Sequence, residues 1–275
     1  METVEIERAS DQVRIVRLNR PHRLNAMSVQ LCLDLEAALN EVGRDNDCLV
    51  VILTGAGRAF CSGLDLKDHS VIPGVDGLTV PRIGPRAIRI YSRLIPLMRR
   101  LPQPIIAAVN GVAFGGGMCL ALGADLRIAS KSAVFNATGI VNGLTSTELG
   151  ASWLLPRLIG AANANDILLT GRRVAADEAL RMGLVSRVVP DEDLLKEAIG
   201  IANRMCEFSP FGVQMTKQVV WANLENTSLE AAIELEDRNQ ILLGMTDNLP
   251  EAVRAFEEKR KPVYRDLPRK GVFTE

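Results

Sequence analysis

The chain has 275 residues, 47% of them hydrophobic, and its 32 basic and 33 acidic residues give a formal net charge of −1. This composition supports a sizeable core, and the length favours one main core with a small accessory part. The balanced charge disfavours nucleic acid or an anionic membrane surface as a partner, and no apolar run reaches the roughly 20 residues of a membrane-spanning helix.

Cysteines and histidines are few and scattered. The five cysteines form no CxxC pair and no cluster with His22 or His69, so the sequence predicts neither a disulfide framework nor a metal site. The first residues are charged and lack an apolar signal-peptide core, so a cytoplasmic location is the expectation. Both histidines fall in predicted loops, which disfavours a Ser-His-Asp triad, and acid–base chemistry is expected to depend on carboxylates.

The first half of the chain alternates strand and helix patterns. VEIERASDQVRIVRLNR predicts a hairpin, and Ser28 is expected to cap the helix that follows. The apolar runs CLVVILTG (48–55) and QPIIAAVNG are typical of buried strands. Between them, a glycine-punctuated loop follows the first run, and the Gly- and Pro-rich residues 70–85 predict a surface loop. A helix is expected over 87–101.

Helical patterns dominate the second half. DLRIAS and AVFNAT predict a further pair of strands, and after residue 149 the only strand pattern is LVSRVV. This order predicts an α/β core followed by a C-terminal helical subdomain. The predicted helices cover 149–158, 162–170, 175–182, 191–207, 210–223, 228–243 and 247–260.

Three consecutive glycines, Gly115–Gly117, precede a predicted helix. Glycine costs conformational entropy, so such a run indicates that the backbone approaches something closely. A dinucleotide-binding turn is disfavoured because G-x-G-x-x-G is absent. Two interpretations stay open: close packing of the helix on the sheet, or an oxyanion site at the helix N-terminus. If the loop CSGLDL faces this turn, one N–H group from each could bind a single oxygen.

Six blocks follow one another along nearly the whole chain: LNRPHRLNAMS, VVILTGAGRAFCSGLDLK, LPQPIIAAVNGVAFGGGMCLALGADLRIAS, LLPRLIG, LLTGRRVAADEALRMGLVSRVVP and EAVRAFEEKRKPVY. With these blocks the chain resembles the crotonase superfamily, the enoyl-CoA hydratase/isomerase family. The resemblance implies an α/β fold in which residues 1–200 form a crotonase-like spiral of ββα units. It also implies that residues 201–275 form a helical part that packs on neighbouring subunits, in a homotrimer or a hexamer of two trimers.

The resemblance further implies an acyl-CoA thioester as the substrate and no separate cofactor, since coenzyme A is part of the substrate. The thioester oxygen would lie between the backbone N–H groups of Leu64 and Gly116. The basic cluster Lys259–Lys261 either faces the phosphates of CoA or is a solvated helix end. CoA itself would lie along Arg23, Leu24, Leu64, Asp65, Leu66 and Lys67.

The chain departs from the hydratases of this family at two positions. Where those enzymes carry two glutamates, this chain has Cys119 and Gly139. On an apolar helix, Cys119 is expected to be a packing residue. Glu148 is the one nearby carboxylate, at a step where some family members, the dienoyl-CoA isomerases among them, have a catalytic acid. It could equally be a charge favoured by the helix that follows.

Other polar residues of these blocks are weaker candidates. Asp65 and Asp125 are expected to be structural acids at loop and helix ends. The side chains that could position water or substrate, without a ranking among them, are Asn142, Thr145, Ser146 and Thr147.

A lone glutamate in an apolar pocket covered by CoA would have a raised pKa. Such a base can take a proton next to the thioester and return it elsewhere. The sequence therefore favours an enzyme that isomerises the double bond of an enoyl-CoA, or hydrates it in an untypical way, with Glu148 as the acid–base. Two hypotheses from other classes stay open: a non-catalytic acyl-CoA-binding protein, and another crotonase reaction such as thioester hydrolysis, decarboxylation or carbon–carbon cleavage.

Overall fold

The computed structural model describes residues 1–68 and 70–265, and the predicted loop position of His69 lies outside them. The chain divides into two compact units, Met1–Ala202 and Asn203–Glu275. The sequence predicts the end of the α/β core at residue 200, and the role of the second unit in a trimer stays a prediction. Among the described residues, no helix combines the length and apolarity needed to cross a bilayer.

The strands of the first unit form two mainly parallel sheets. Within each sheet one pair is antiparallel, β1 with β2 and β8 with β9. The larger sheet contains, in spatial order, β1 (Val4–Arg8), β2 (Val13–Leu18), β3 (Val50–Gly55), β5 (Ile105–Val109), β7 (Leu126–Ser130) and β10 (Arg187–Val189). The smaller sheet contains β4 (Ala59–Cys61), β6 (Val112–Phe114), β8 (Val134–Asn136) and β9 (Arg173–Ala175).

Three successive units take one path: a strand of the larger sheet, a strand of the smaller sheet, then helix. After the β1–β2 hairpin and α1 (Val29–Arg44), strands β3 and β4 lead into α2 (Val80–Ser92) and α3 (Leu94–Arg100). Strands β5 and β6 lead into α4 (Gly116–Gly123), and β7 and β8 lead into α5 (Ala151–Thr170). This is the ββα spiral expected for the first part of the chain.

Local signals in the sequence predict several elements correctly. The hairpin is present, and the Ser28 hydroxyl accepts a hydrogen bond from the Leu31 N–H at 3.1 Å, as an N-cap does. Strand β3 is buried throughout, which accounts for its unbroken apolar run. The predicted gap between helices near residue 160 is a break within α5, where Gly160 has φ 77° and ψ 157°.

The expectation of a loop over residues 70–85 is wrong in its last third. Helix α2 begins at Val80, and Pro81 occupies its first turn. The N–H groups of a first turn have no acceptor within the helix, so the missing N–H of proline costs no hydrogen bond there. The single helix predicted over 87–101 is two helices, divided at Arg93. The prediction of a loop failed here because a proline is compatible with the first turn of a helix.

The predicted pairing of DLRIAS with AVFNAT is also wrong. Strands β7 and β8 belong to different sheets, because the short turn between them carries the chain from one layer to the other. Strands β4, β6 and β9 have three residues each and were not predicted. Three residues are too few for a periodic pattern, and pairing with neighbours defines these strands.

The rest of the chain is helical apart from β9 and β10. The helices are α6 (Ala176–Arg181), α7 (Leu194–Cys206), α8 (Pro210–Asn223), α9 (Leu229–Gly244) and α10 (Asn248–Glu257).

Candidate active site

The two glycine-rich loops meet in the first unit. Gly63 follows β4 with φ 89°, and a Cβ atom there would lie 2.6 Å from the carbonyl oxygen of Phe114 and 3.6 Å from the Cα atom of Gly115. No side chain fits in that space. The loop after β4 therefore lies directly against the turn that begins α4.

Leu64 forms an isolated parallel bridge with Met27. The Met27 N–H donates to the Gly63 carbonyl at 2.7 Å, and the Asp65 N–H donates to the Met27 carbonyl at 3.1 Å. Gly63 and Asp65 thus both bond Met27, and in a parallel pairing the N–H of the residue between them points to the opposite side of the strand. The Leu64 N–H therefore points away from Met27, and no acceptor among the described residues bonds it.

The turn before α4 presents further backbone N–H groups. Gly115 has φ 49° and ψ −120°, and its N–H donates to the Asn136 carbonyl at 2.8 Å. The N–H groups of Gly116 and Gly117 belong to the first helical turn, which has no intrahelical acceptors for them. This end of the helix also carries a partial positive charge.

Each of the three glycines has its own structural reason. Gly115 adopts a backbone conformation that residues with a Cβ avoid. A Cβ at Gly116 would lie 2.6 Å from the Sδ atom of Met27, and one at Gly117 would lie 2.1 Å from the carbonyl oxygen of Cys61. Close packing on β4 thus explains Gly117, and the N–H groups without intrahelical acceptors are a separate property of the same turn.

The Glu148 carboxylate lies beside this turn. Its Oε1 atom is 3.1 Å from the point that a Cβ on Gly115 would occupy, and the Cβ and Oγ1 atoms of Thr138 are 3.7 Å from the same point. Burial raises the pKa of Glu148 above its usual range. Within the described residues, no hydrogen bond or ion pair reaches this carboxylate. The Thr138 hydroxyl was not predicted, since only the chain path between β8 and α5 brings it here.

The backbone at Glu148 holds an uncommon conformation. Leu149 has φ 45° and Gly150 has φ 90°, and positive φ is costly for a bulky residue such as Leu149. The Glu148 carbonyl accepts hydrogen bonds from the Ala151 N–H at 2.7 Å and from the Cys119 thiol at 3.5 Å. Its carboxylate makes no capping bond to α5, so helix capping does not explain this glutamate.

Neither position of the absent glutamates offers a carboxylate, and Gly139 has no room for a side chain. Cys119 is fully buried, and burial raises the pKa of its thiol well above the usual range. A Cβ at Gly139 would lie 2.1 Å from the carbonyl oxygen of Thr145. Glu148 is therefore the carboxylate that the described residues place beside the glycine turn.

Asp65 links the two segments predicted to bind CoA. Its carboxylate accepts from Arg20 at 3.0 Å, from Arg23 at 2.7 Å and from the Lys67 N–H at 3.1 Å. Burial alone would raise the pKa of Asp65, but the hydrogen bond from Arg23 and the others outweigh it, and the pKa lies below its usual range. Asp65 is thus a structural acid, and Arg20, which the sequence did not single out, is its second partner.

The remaining residues of the predicted CoA segments lie on the surface. Leu64 is 47% exposed and Leu66 is 70% exposed, so neither side chain belongs to the core. Leu24 closes a 3-10 turn with φ 51°.

Several weaker candidates have structural roles. Asp125 accepts from the Ile105 N–H at 2.7 Å. The buried Ser146 hydroxyl donates to the Ala137 carbonyl and accepts from the Ile140 N–H. Thr145 and Thr147 bond each other through their hydroxyls, and Asn142 is exposed in a 3-10 turn. In the second unit, Arg260 pairs with Glu251 and Glu258, and Lys261 lies 3.6 Å from Glu207.

Comparison with known proteins adds to this geometry. The family model for enoyl-CoA hydratase/isomerase matches residues 8–268. The chain belongs to this family. A probable enoyl-CoA hydratase of Mycobacterium bovis is 49% identical over 264 residues, which are 96% of this chain and 93% of that protein. The 1,2-epoxyphenylacetyl-CoA isomerase of Escherichia coli is 38% identical over 92% of this chain and 94% of its own length.

Solved structures confirm the fold. The crystal structure of a probable enoyl-CoA hydratase/isomerase from Mycobacterium abscessus superposes with a TM-score of 0.92 at 46% identity, covering 97% of this chain and all of that one. The expected crotonase-like ββα spiral is therefore correct, and the chain is an enzyme of the enoyl-CoA hydratase/isomerase family. No group of three or more potential metal ligands is present within the described residues.

Proposed function

We propose that this enzyme moves the double bond of an enoyl-CoA thioester, with Glu148 as its acid–base. One observation carries the proposal: a single unpaired carboxylate lies beside the glycine turn, at Glu148. The positions of the two hydratase glutamates hold a buried thiol at Cys119 and a glycine without side-chain space at Gly139. One base that both takes and returns a proton suits isomerisation better than hydration, which must also activate water.

The N–H groups of Leu64 and Gly116 form the proposed oxyanion hole. Both are backbone donors on the two loops that Gly63 brings together, and neither has a bonding partner among the described residues. Donors fixed in advance stabilise the negative charge that develops on the thioester oxygen when the carbon next to it loses a proton. The hole would therefore bind the enolate more strongly than the substrate.

The reaction requires one proton to move between two carbons. Ionised Glu148 takes a proton from C2 of a 3-enoyl-CoA, and the electrons of the broken C–H bond form an enolate on the thioester oxygen. When the enolate collapses, the double bond shifts from C3–C4 to C2–C3, and protonated Glu148 returns the proton to C4. A raised pKa of Glu148 suits both steps, because it makes the carboxylate a stronger base and keeps the proton available for return.

Coenzyme A would lie along the surface segments that Asp65 ties together. Arg23 and Lys67 supply positive charge, Leu24, Leu64 and Leu66 supply apolar contacts, and Asp65 keeps the two segments in register. As the resemblance implies, no separate cofactor is needed. We also propose that the helical part after residue 200 packs on neighbouring subunits in a trimer or a hexamer.

The relative from Escherichia coli is named an isomerase of an epoxide of phenylacetyl-CoA, whereas the relative from Mycobacterium bovis is described as a hydratase. Hydration is the second candidate because the Thr138 hydroxyl lies beside the same glycine turn as Glu148 and could position a water.

The deciding experiment mixes the enzyme separately with a 3-enoyl-CoA and a 2-trans-enoyl-CoA in deuterated water. Products are identified by mass and chromatography, with wild type and Glu148→Gln compared. Double-bond migration that is lost in Glu148→Gln supports the proposal, and little deuterium in the product would show that Glu148 returns the proton that it took. Addition of water would make the enzyme an untypical hydratase. Tight binding without turnover would leave an acyl-CoA-binding protein, and release of free CoA would indicate thioester hydrolysis.

A further inference from the structure

A cleft of about 610 Å³ lies between α1 and α2, outside the site described above. Four arginines line it: Arg82, Arg86, Arg89 and Arg93. Their spacing of four, three and four residues places them on one face of the helical segment, since residues three and four apart are neighbours on a helix. Its other walls are apolar, with Leu33 from α1 and Pro73 and Leu78 from the preceding loop.

Two of these arginines are already engaged within the protein. Arg93 pairs with Glu36 of α1, and Arg86 donates to the carbonyl of Gly74. Arg82 and Arg89 have neither an ion pair nor a side-chain hydrogen bond among the described residues. Two guanidinium groups thus face the same cleft without an anionic partner.

The charge of α2 favours an anion in this cleft. The helix contains three arginines and no acidic residue, so neighbouring charges repel one another without compensation. A concave surface of one charge with apolar walls also concentrates the electric field and attracts counter-ions.

We infer that this cleft binds a small organic anion with two or more phosphate groups. Guanidinium groups match phosphate oxygens with paired hydrogen bonds, which favours phosphate over a simple halide ion. Arg82 and Arg89 are seven residues apart, or roughly 10 Å along a helix, so their long side chains can hold two linked phosphates at the same time. The volume lies within the range of small-molecule sites.

This chemistry has two possible sources. The phosphates could belong to the nucleotide end of the CoA substrate, or to a separate nucleotide that binds independently. The inference does not depend on the proposed reaction, because binding can be measured without turnover.

Titration calorimetry with inorganic pyrophosphate and with ADP at low ionic strength tests the inference. The double variant Arg82→Gln/Arg89→Gln should weaken binding by at least about tenfold, as loss of two charge-assisted contacts predicts. The double variant Arg82→Lys/Arg89→Lys keeps the charges, so its affinity should lie between that of wild type and that of the glutamine variant. Arg100→Gln, an exposed arginine outside the cleft, is the matched control and should bind like wild type. Circular dichroism checks that each variant is folded.

Absence of binding of both probes to the wild type would overturn the inference. Equal weakening in Arg100→Gln would also overturn it, because binding would then depend on net charge alone. A parallel titration with free coenzyme A separates the two sources. If the double variant weakens CoA binding by the same factor, the phosphates are those of the substrate, and if CoA binding is unchanged, a separate ligand occupies the cleft.

Discussion

The Sγ atom of Cys119 lies 3.5 Å from the backbone carbonyl oxygen of Glu148, and the thiol donates a hydrogen bond to it. The position at which the resemblance implies a hydratase glutamate therefore holds a thiol that contacts the backbone of Glu148. Leu149, the next residue, has φ 45°. The thiol helps to hold a strained turn that places the Glu148 carboxylate beside Gly115.

We predict that Cys119→Ala lowers both stability and turnover. Loss of a fully buried sulfur should cost about 1 kcal/mol of unfolding free energy through lost packing. Loss of the hydrogen bond should lower kcat more than it changes KM, because the variant leaves intact the segments proposed to bind CoA. Urea unfolding and steady-state kinetics measure the two effects. Cys119→Ser keeps a donor and should recover part of kcat, and equal kcat in all three proteins would exclude this positioning role.

Glu148→Gln should lower kcat/KM by about 10²- to 10⁴-fold, the usual contribution of a general base. Since burial raises the pKa of Glu148, the wild-type rate should fall on acidification at a pH above the usual range of a glutamate. The pH profile of kcat/KM measures this. Glu41→Gln, at an exposed position of α1, is the control and should keep the wild-type profile.

Ionised Glu148 supports turnover, but the same ionised carboxylate destabilises the folded state. A raised pKa in the folded state means that ionised Glu148 is disfavoured there, so its stabilising contribution is present at low pH and lost as pH rises through the folded pKa. Glu148→Gln should therefore have a higher Tm than wild type at neutral pH, and the difference should vanish in acid. A lower Tm at neutral pH would show that the carboxylate has a stabilising partner.

Gly117→Ala should lower the free energy of unfolding far more than Gly116→Ala. A Cβ at Gly117 meets the Cys61 backbone at 2.1 Å, whereas one at Gly116 meets the movable sulfur of Met27 at 2.6 Å. Overpacking that a side chain can relieve costs about 1–3 kcal/mol, and displacement of a strand costs more. Urea unfolding of the two variants compares them, and Gly200→Ala, where nothing lies within 4 Å of the added Cβ, is the control. Similar losses in the first two would contradict the packing explanation.

Local signals and close approaches differ in how well they can be predicted from the sequence. The Ser28 cap and the buried strand Val50–Gly55 depend on neighbouring residues, so their patterns predict them. Strand Ala59–Cys61 exists only through pairing with other segments, and no local pattern marks it. The glycine run is evident in the sequence, but its tightest contact, between Gly117 and Cys61, joins residues that are far apart in the chain.

The site residues show the same division. Glu148 was found because it is the remaining carboxylate near the matching blocks. Arg20 was missed because its role depends on Asp65, 45 residues away, and Thr138 because the path between two elements brings it beside Gly115. Side chains whose role depends on a distant partner cannot be found from one sequence by spacing alone.

Asp65→Asn should destabilise the first unit and weaken CoA binding together. The substitution keeps the shape of a buried side chain but leaves Arg20 and Arg23 without their anion, at a cost of about 2 kcal/mol for a partly exposed pair. The lowered pKa of Asp65 means that its stabilising contribution is present above pH 3.8, the ordinary value, and is lost as pH falls through the folded pKa. The difference from wild type should therefore be full at neutral pH and disappear in strong acid.

Urea unfolding across this pH range and titration with free coenzyme A measure the two consequences of Asp65→Asn. Asp11→Asn is the matched control, because Asp11 pairs with Arg8 on the open surface and should contribute less than about 0.5 kcal/mol. If Asp65→Asn weakens CoA binding without loss of stability, Asp65 acts on the ligand directly. If stability falls and CoA binding is unchanged, the two arginine segments do not form the CoA site, and the placement of the substrate along Arg23 and Lys67 is wrong.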